Sequence, residues 1–209
     1  MKRNLKDLSL YGKGVMILGL LVSLLLGAAT QAQSSKAAPA YKINPEVSKI
    51  TFFVKASISI DGTFDKWDAS LTFTSPDVST GVLDVKIQAA SVDTGSGFKD
   101  DKLRSEDFFD AKKDPYITFR STKIVQTGPN TYDVPGTFTI RGVSKQETLA
   151  FTDDREGKGA GEIKGTMAFD RKEFGMNSGI PFIRIADRVE VTVDFKVKRV
   201  GGSPLLFKQ

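Results

Sequence analysis

The catalytic vocabulary of this chain is small. It has no histidine and no cysteine, which removes the commonest general base, the commonest transition-metal ligand and the thiolate nucleophile together. Structural zinc, haem ligation by His or Cys, and Ser-His-Asp hydrolysis are excluded, so no metal centre and no cofactor is expected. Carboxylate, Lys, Tyr or Ser chemistry remains. The sharpest enzyme-like match is Asp93-Thr94-Gly95, the tripeptide that carries the carboxylate of aspartic proteases. Those enzymes need two carboxylates sharing a proton, and one copy is present. The stretch Ser91 to Gly97 reads more simply as a strand end running into a Gly-rich turn. Acidic clusters at Asp100-Asp101 and at Asp153-Asp154 with Glu156 lack the ligand spacing and central Gly of a calcium loop, so solvated turns are expected there. Gly157, Gly159 and Gly161 fall between two strand patterns, which reads as a hairpin loop and not as a phosphate cradle. No catalytic residue is assigned.

Recognition must then rest on apolar surface, and the elements that would carry it are written as alternation. From Ser48 to Ile60, Ile50, Phe52, Val54, Ala56, Ile58 and Ile60 share one face, while Lys49, Thr51, Lys55, Ser57 and Ser59 share the other. Phe53 alone breaks the rule. Asp61-Gly62 is a strong hairpin signal and predicts a two-residue turn that sets Ile60 opposite Thr63, Ile58 opposite Asp65, Ala56 opposite Trp67, Val54 opposite Ala69, Phe52 opposite Leu71 and Ile50 opposite Phe73. Alternation recurs at Leu83 to Ala89, Ile117 to Ser121, Tyr132 to Ile140, Leu149 to Phe151, Ile163 to Phe169 and Val189 to Val197, giving about eight half-buried antiparallel strands. Between Lys99 and Lys113 the period lengthens, and a short helix capped by Ser105 is expected, with Phe108 and Phe109 as its apolar contacts.

Eight such strands stack as a sandwich or close as a barrel, and the pattern leaves both open. The inward faces gather Phe52, Val54, Ala56, Trp67, Leu71, Phe73, Phe119, Phe138, Phe151, Met167, Phe169 and Phe195. A cavity lined this way would take a long apolar ligand, but an ordinary packed core has the same lining, and on pattern alone the packed core is preferred.

The first 32 residues read as a secretory signal peptide: a basic start, an apolar run from Val15 to Leu26, and small residues up to Ala32. That run is shorter than the roughly 20 residues of a spanning helix, so no stable membrane span is expected after cleavage, and a periplasmic or secreted location is. The segment also holds four of the chain's 30 Lys and Arg residues and one of its 25 Asp and Glu residues. The rest of the chain is close to neutral, with no basic footprint for nucleic acid. Residues 33–40 read as a flexible leader, 41–200 as one domain, and 201–209 as a tail whose Leu205, Leu206 and Phe207 pack on it.

Several runs, in order, strongly resemble the YceI-like family of bacterial periplasmic proteins: Ala90 to Gly95; Lys99 to Phe109; Asp114-Pro115-Tyr116-Ile117-Thr118-Phe119; Gly136 to Val143; Asp170-Arg171-Lys172-Glu173-Phe174-Gly175; and Asp187-Arg188-Val189. The resemblance covers about residues 41 to 198. It implies a lipocalin-like, all-β, eight-stranded antiparallel barrel enclosing a polyisoprenoid or similar amphiphilic lipid, with no catalytic residues. It also makes Asp93-Thr94-Gly95 a turn. The family often places His where Ala56 and Lys102 stand here. The mouth is expected near residues 99–113, with Leu103, Phe108 and Phe109 as a lid, and the protein is expected to be a monomer or weak homodimer. The alternative is a packed barrel that acts through its surface as a stress-related envelope module.

Overall fold

A computed structural model describes residues 37–156 and 159–207; the predicted signal peptide and the first part of the leader lie outside them. Twelve strands form one sheet: β1 (Ala40–Ile43), β2 (Lys49–Ala56), β3 (Ile60–Phe64), β4 (Trp67–Thr72), β5 (Val82–Gln88), β6 (Val92–Asp93), β7 (Tyr116–Ser121), β8 (Val125–Gln126), β9 (Thr131–Ile140), β10 (Val143–Glu156), β11 (Ala160–Asp170) and β12 (Ile185–Gly201). The sheet is a closed barrel of eight staves. β1 and β2 lie end to end along β12, β4 and β3 lie along them in turn, and β5 and β6 come next. Then come β7, β9, β10, β11 and β12, each antiparallel to its neighbour. The ring shuts where Ala40 meets Gly201 and Ile43 meets Val197. Up-and-down closure leaves no long free edge.

One end of the barrel, here the helix end, carries the β2–β3 connection, the segment 94–115 with α1 (Gly97–Arg104), and the link from β11 to β12. The other, the tail end, carries the β4–β5 link, the β10–β11 hairpin and residues 202–207. Among the described residues no helix is long and apolar enough to cross a membrane.

Two local expectations are corrected. Asp61-Gly62 is not a turn: it lies within β3, with Phe52 opposite Gly62 and Val54 opposite Ile60, and the chain reverses over Ser57 to Ser59. Hence Ala56 faces Ile185 and Trp67 faces Ile87, not each other, and β4 pairs with β1 and β5. The reason is the phase of the second arm. An Asp61-Gly62 turn would have aimed Asp65 into the barrel, whereas the observed register buries Ile60, Gly62 and Phe64 and leaves Asp65 in water. Two exposed residues, Asp65 and Lys66, then shift the phase so that Trp67, Ala69, Leu71 and Phe73 face inward.

Gly62 is needed for a different purpose. A Cβ there would sit 2.6 Å from Phe52 Cζ. The same device recurs where a Cβ on Gly136 would meet Phe119 at 2.8 Å and one on Gly165 would meet Phe151 at 2.3 Å. Each phenyl ring fills the space that a side chain on the neighbouring strand would need, which only glycine leaves open.

Ser105 ends the helix and does not begin it. Its backbone N–H and hydroxyl both reach the Lys102 carbonyl, at 3.2 and 2.7 Å. Arg104 pins α1 to the barrel rim by donating to the Ala90 and Val92 carbonyls at 2.9 and 2.7 Å.

Candidate functional site

The barrel interior is apolar, but it is not evenly filled. At the tail end a cavity of about 330 Å³ is lined by Leu71, Phe73, Val78, Ile124, Phe151, Ile163 and Val197, with Tyr41, Tyr132, Asp153 and Arg199 as its polar lining. At the helix end a second space of about 70 Å³ lies among Phe52, Val54, Ile60, Phe64, Phe138, Phe169 and Val189. Ligand pockets run from roughly 300 to 1,000 Å³, so the tail-end chamber has ligand size and the helix-end space does not.

Of the residues singled out from sequence, Leu71, Phe73 and Phe151 line the larger chamber. Phe52, Val54, Phe138 and Phe169 line the smaller one, with Leu103, Phe108 and Phe109. Trp67 and Phe195 line neither. Their rings meet at 5.5 Å between centroids with planes tilted by 38°, on staves where Phe64 and Val191 border the smaller space and Leu71 and Val197 the larger, which places the pair between the two as a partition. Phe119 and Met167 are buried in the wall and line neither space. Ala56 is half-buried at the helix end and lines neither space.

The helix end is closed by packing. Leu103, Phe108 and Phe109 are 5%, 3% and 7% exposed, and Phe109 meets Phe64 at 5.9 Å. Beneath them Phe138, Phe169 and Phe174 form a triangle of rings at 5.1 to 5.4 Å. Arg171 secures the link from β11 to β12. Its guanidinium donates to the Ala186 carbonyl at 3.2 Å, to the Ser178 carbonyl at 2.9 Å, to the Asp187 carboxylate at 3.1 Å and to the Met176 carbonyl. A charge so fully hydrogen-bonded can be buried. Hydrogen bonds from Lys172, and then the nearby charges, hold the Asp187 carboxyl below its ordinary value. In the sequence Arg171 stands out only as part of a family-like run; a lone Arg between an Asp and a Lys carries no sign of burial.

The tail end is closed differently. Residues 202–207 cross the chamber, with Pro204, Leu205 and Phe207 in its wall. Leu205 and Phe207 are half-buried while Leu206 is 58% exposed, so the tail alternates as a strand does. Phe207 meets Tyr132 at 6.4 Å.

The enzyme-like tripeptide is a turn. Asp93 accepts from the Gly95 N–H at 2.8 Å, Gly95 adopts φ 72°, and buried Asp100 accepts from the Thr94 N–H and hydroxyl at 2.8 and 2.7 Å. Among the described residues no three acidic side chains gather closely enough to hold a metal ion.

The model of the YceI-like domain matches residues 41–197. A UPF0312 protein of Pseudomonas syringae pv. syringae is 31% identical over 179 residues, covering 80% of this chain and 92% of that protein. One from Pseudomonas putida is 33% identical over 165 residues, covering 74% and 85%. Among solved structures, Burkholderia cenocepacia BcnA superposes with a TM-score of 0.67 at 27% identity, covering 75% of this chain and 99% of that one. The Campylobacter jejuni YceI protein gives 0.56 at 27%, covering 69% and 85%. A polyisoprenoid binding domain from Saccharophagus degradans, implicated in plant cell wall breakdown, gives 0.62 at 14%, covering 77% and 99%, which is a likeness of fold.

Proposed function

This chain belongs to the YceI-like family, and from that premise we propose that its barrel binds a long-chain apolar lipid of the polyisoprenoid class and carries or sequesters it outside the cytoplasm. The observation that carries the reading is the tail-end chamber: about 330 Å³ of space walled mainly by aliphatic and aromatic side chains, with the charged Asp153 and Arg199 also in its lining. A lipid chain would be held by burial, at about 0.8 kcal/mol for each CH₂ removed from water, offset by the cost of ordering it. Specificity would come from shape and dryness. The fold shared with a domain described as polyisoprenoid-binding supports the choice of ligand class, and the signal-like first 32 residues support export.

Native mass spectrometry of protein purified without detergent, followed by organic extraction, tests this directly. A co-purifying lipid with a long unsaturated chain is the expected result, and loss of that adduct in Leu71→Trp, which projects an indole into the chamber, would place it. Empty protein that also fails to take up added polyprenyl lipids would sink the proposal.

A further inference from the structure

The two barrel ends differ in what must be undone to open them. Opening the helix end means exposing Leu103, Phe108 and Phe109 and disturbing the buried Arg171 network. Opening the tail end means lifting the extended segment that follows Gly202. Its backbone is held to the barrel by the Ser203 N–H on the Ala37 carbonyl at 2.9 Å and the Leu206 N–H on the Pro76 carbonyl at 2.8 Å, with a bridge between Leu206 and Asp77. The segment leaves β12 through Gly201-Gly202, where Gly202 has φ 72° and a Cβ would lie 2.0 Å from the Ala38 carbonyl oxygen. That is a fixed hinge in a form only glycine adopts without strain.

We propose that the lipid enters and leaves at the tail end, and that residues 203–207 are a strap which occupies the entrance in the empty protein, Leu205 and Phe207 standing in for the first segment of the ligand chain. This rests on the lipid-binding reading and adds its gate. Three observations support it. Leu205 and Phe207 face the chamber while Leu206, between them, faces water, so the strap presents only apolar groups to the lumen. The chamber it covers is the larger of the two spaces inside the barrel. And Arg199, in the chamber lining, gives its guanidinium to the Gly202 carbonyl at 2.6 Å. Lifting the strap releases that donor at the mouth, where the acceptor oxygens of a lipid head group would replace the carbonyl. The polar head would therefore sit at the tail end and the chain would run towards Trp67 and Phe195.

The chain has no cysteine, so the strap can be pinned cleanly. In the Asp77→Cys/Leu206→Cys protein, oxidation should cut the exchange of a fluorescent polyprenyl probe at least tenfold, and dithiothreitol should restore it. A chain ending at Gly202 should exchange the probe at least tenfold faster in both directions while its circular dichroism melt shows the barrel intact. Arg199→Met should weaken binding of a polyprenyl phosphate more than that of the corresponding hydrocarbon. Exchange indifferent to both the crosslink and the truncation would overturn the gate while leaving lipid binding standing. Failure of the wild-type protein to bind any probe would instead strike the lipid reading itself.

Discussion

Replacing Gly62 by Ala asks whether the glycine serves a turn or a ring. The new Cβ would lie 2.6 and 2.7 Å from Phe52 Cζ and Cε1 and 3.0 Å from the Asp93 carbonyl oxygen. Carbon atoms rest at about 3.5–4.0 Å, so the ring must retreat by about 1 Å. It does so within a wall where Phe64 already lies 5.6 Å away, centroid to centroid. Overpacking of this kind costs about 1–3 kcal/mol. Truncating Phe52, 7% exposed, costs about 3–5 kcal/mol alone. With the ring gone, only the Asp93 carbonyl at 3.0 Å still crowds the methyl at residue 62, and the loss of unfolded-chain freedom, worth about 0.4–1 kcal/mol, offsets that contact. The double variant should therefore be about as stable as Phe52→Ala alone, a coupling of about 1 kcal/mol or more. Urea unfolding followed by fluorescence of Trp67, the single tryptophan, reads all four corners of the cycle. If the two single effects add to within about 0.5 kcal/mol, the phenyl ring does not rest on Gly62 and the observed β2–β3 register is wrong.

Two more outcomes are expected from the interior and the wall. Phe195→Ala removes one half of the partition with Trp67; it should cost about 3–5 kcal/mol in urea unfolding and, by joining the two spaces, shift the extracted lipids towards longer chains. Glu162 on β11 is held down to about 2, first by its hydrogen bond from Lys196 and then by Asp194 and Lys164, against an ordinary 4.5. A depressed carboxyl contributes stability that is present above about pH 4.5 and lost as the pH falls through 2. Glu162→Gln should accordingly flatten that limb of the acid-unfolding curve; an unchanged difference between melts at about pH 5 and about pH 2.5 would refute the assignment.

Period-two alternation was enough to mark β5, β7, β9, β11 and β12, because each buries one face and wets the other, and the family-like runs were enough for closure into a barrel. The first hairpin was misread for a physical reason. Asp-Gly is favoured both where φ must be positive and where a glycine must make room for a ring, and the dipeptide does not say which. Ser105 was ambiguous in the same way, since its hydroxyl can accept from an N–H at a helix start or donate to a carbonyl at a helix end. The inward-facing phenylalanines were legible, but their sorting into chamber, partition and plug was not. That division depends on which strand each ring lies against, as Phe151 against Gly165 shows, and on volumes that no single strand encodes. The tail's Leu205, Leu206 and Phe207 were all expected to pack on the barrel, whereas its extended backbone turns the middle one outward.

The 17-residue strand β12 borders β1, β2 and β11 at once, and it comes after all of them in chain order. Until it is present, neither β11 nor the first stave has its partner, so no shortened chain is a smaller barrel; each is an open sheet with two bare edges and a wet apolar face. Such species are sticky, and the pairing of the chain's two ends is of the long-range kind that forms slowly. Closure of the barrel should therefore be all-or-none, waiting on β12 to pair on both of its sides.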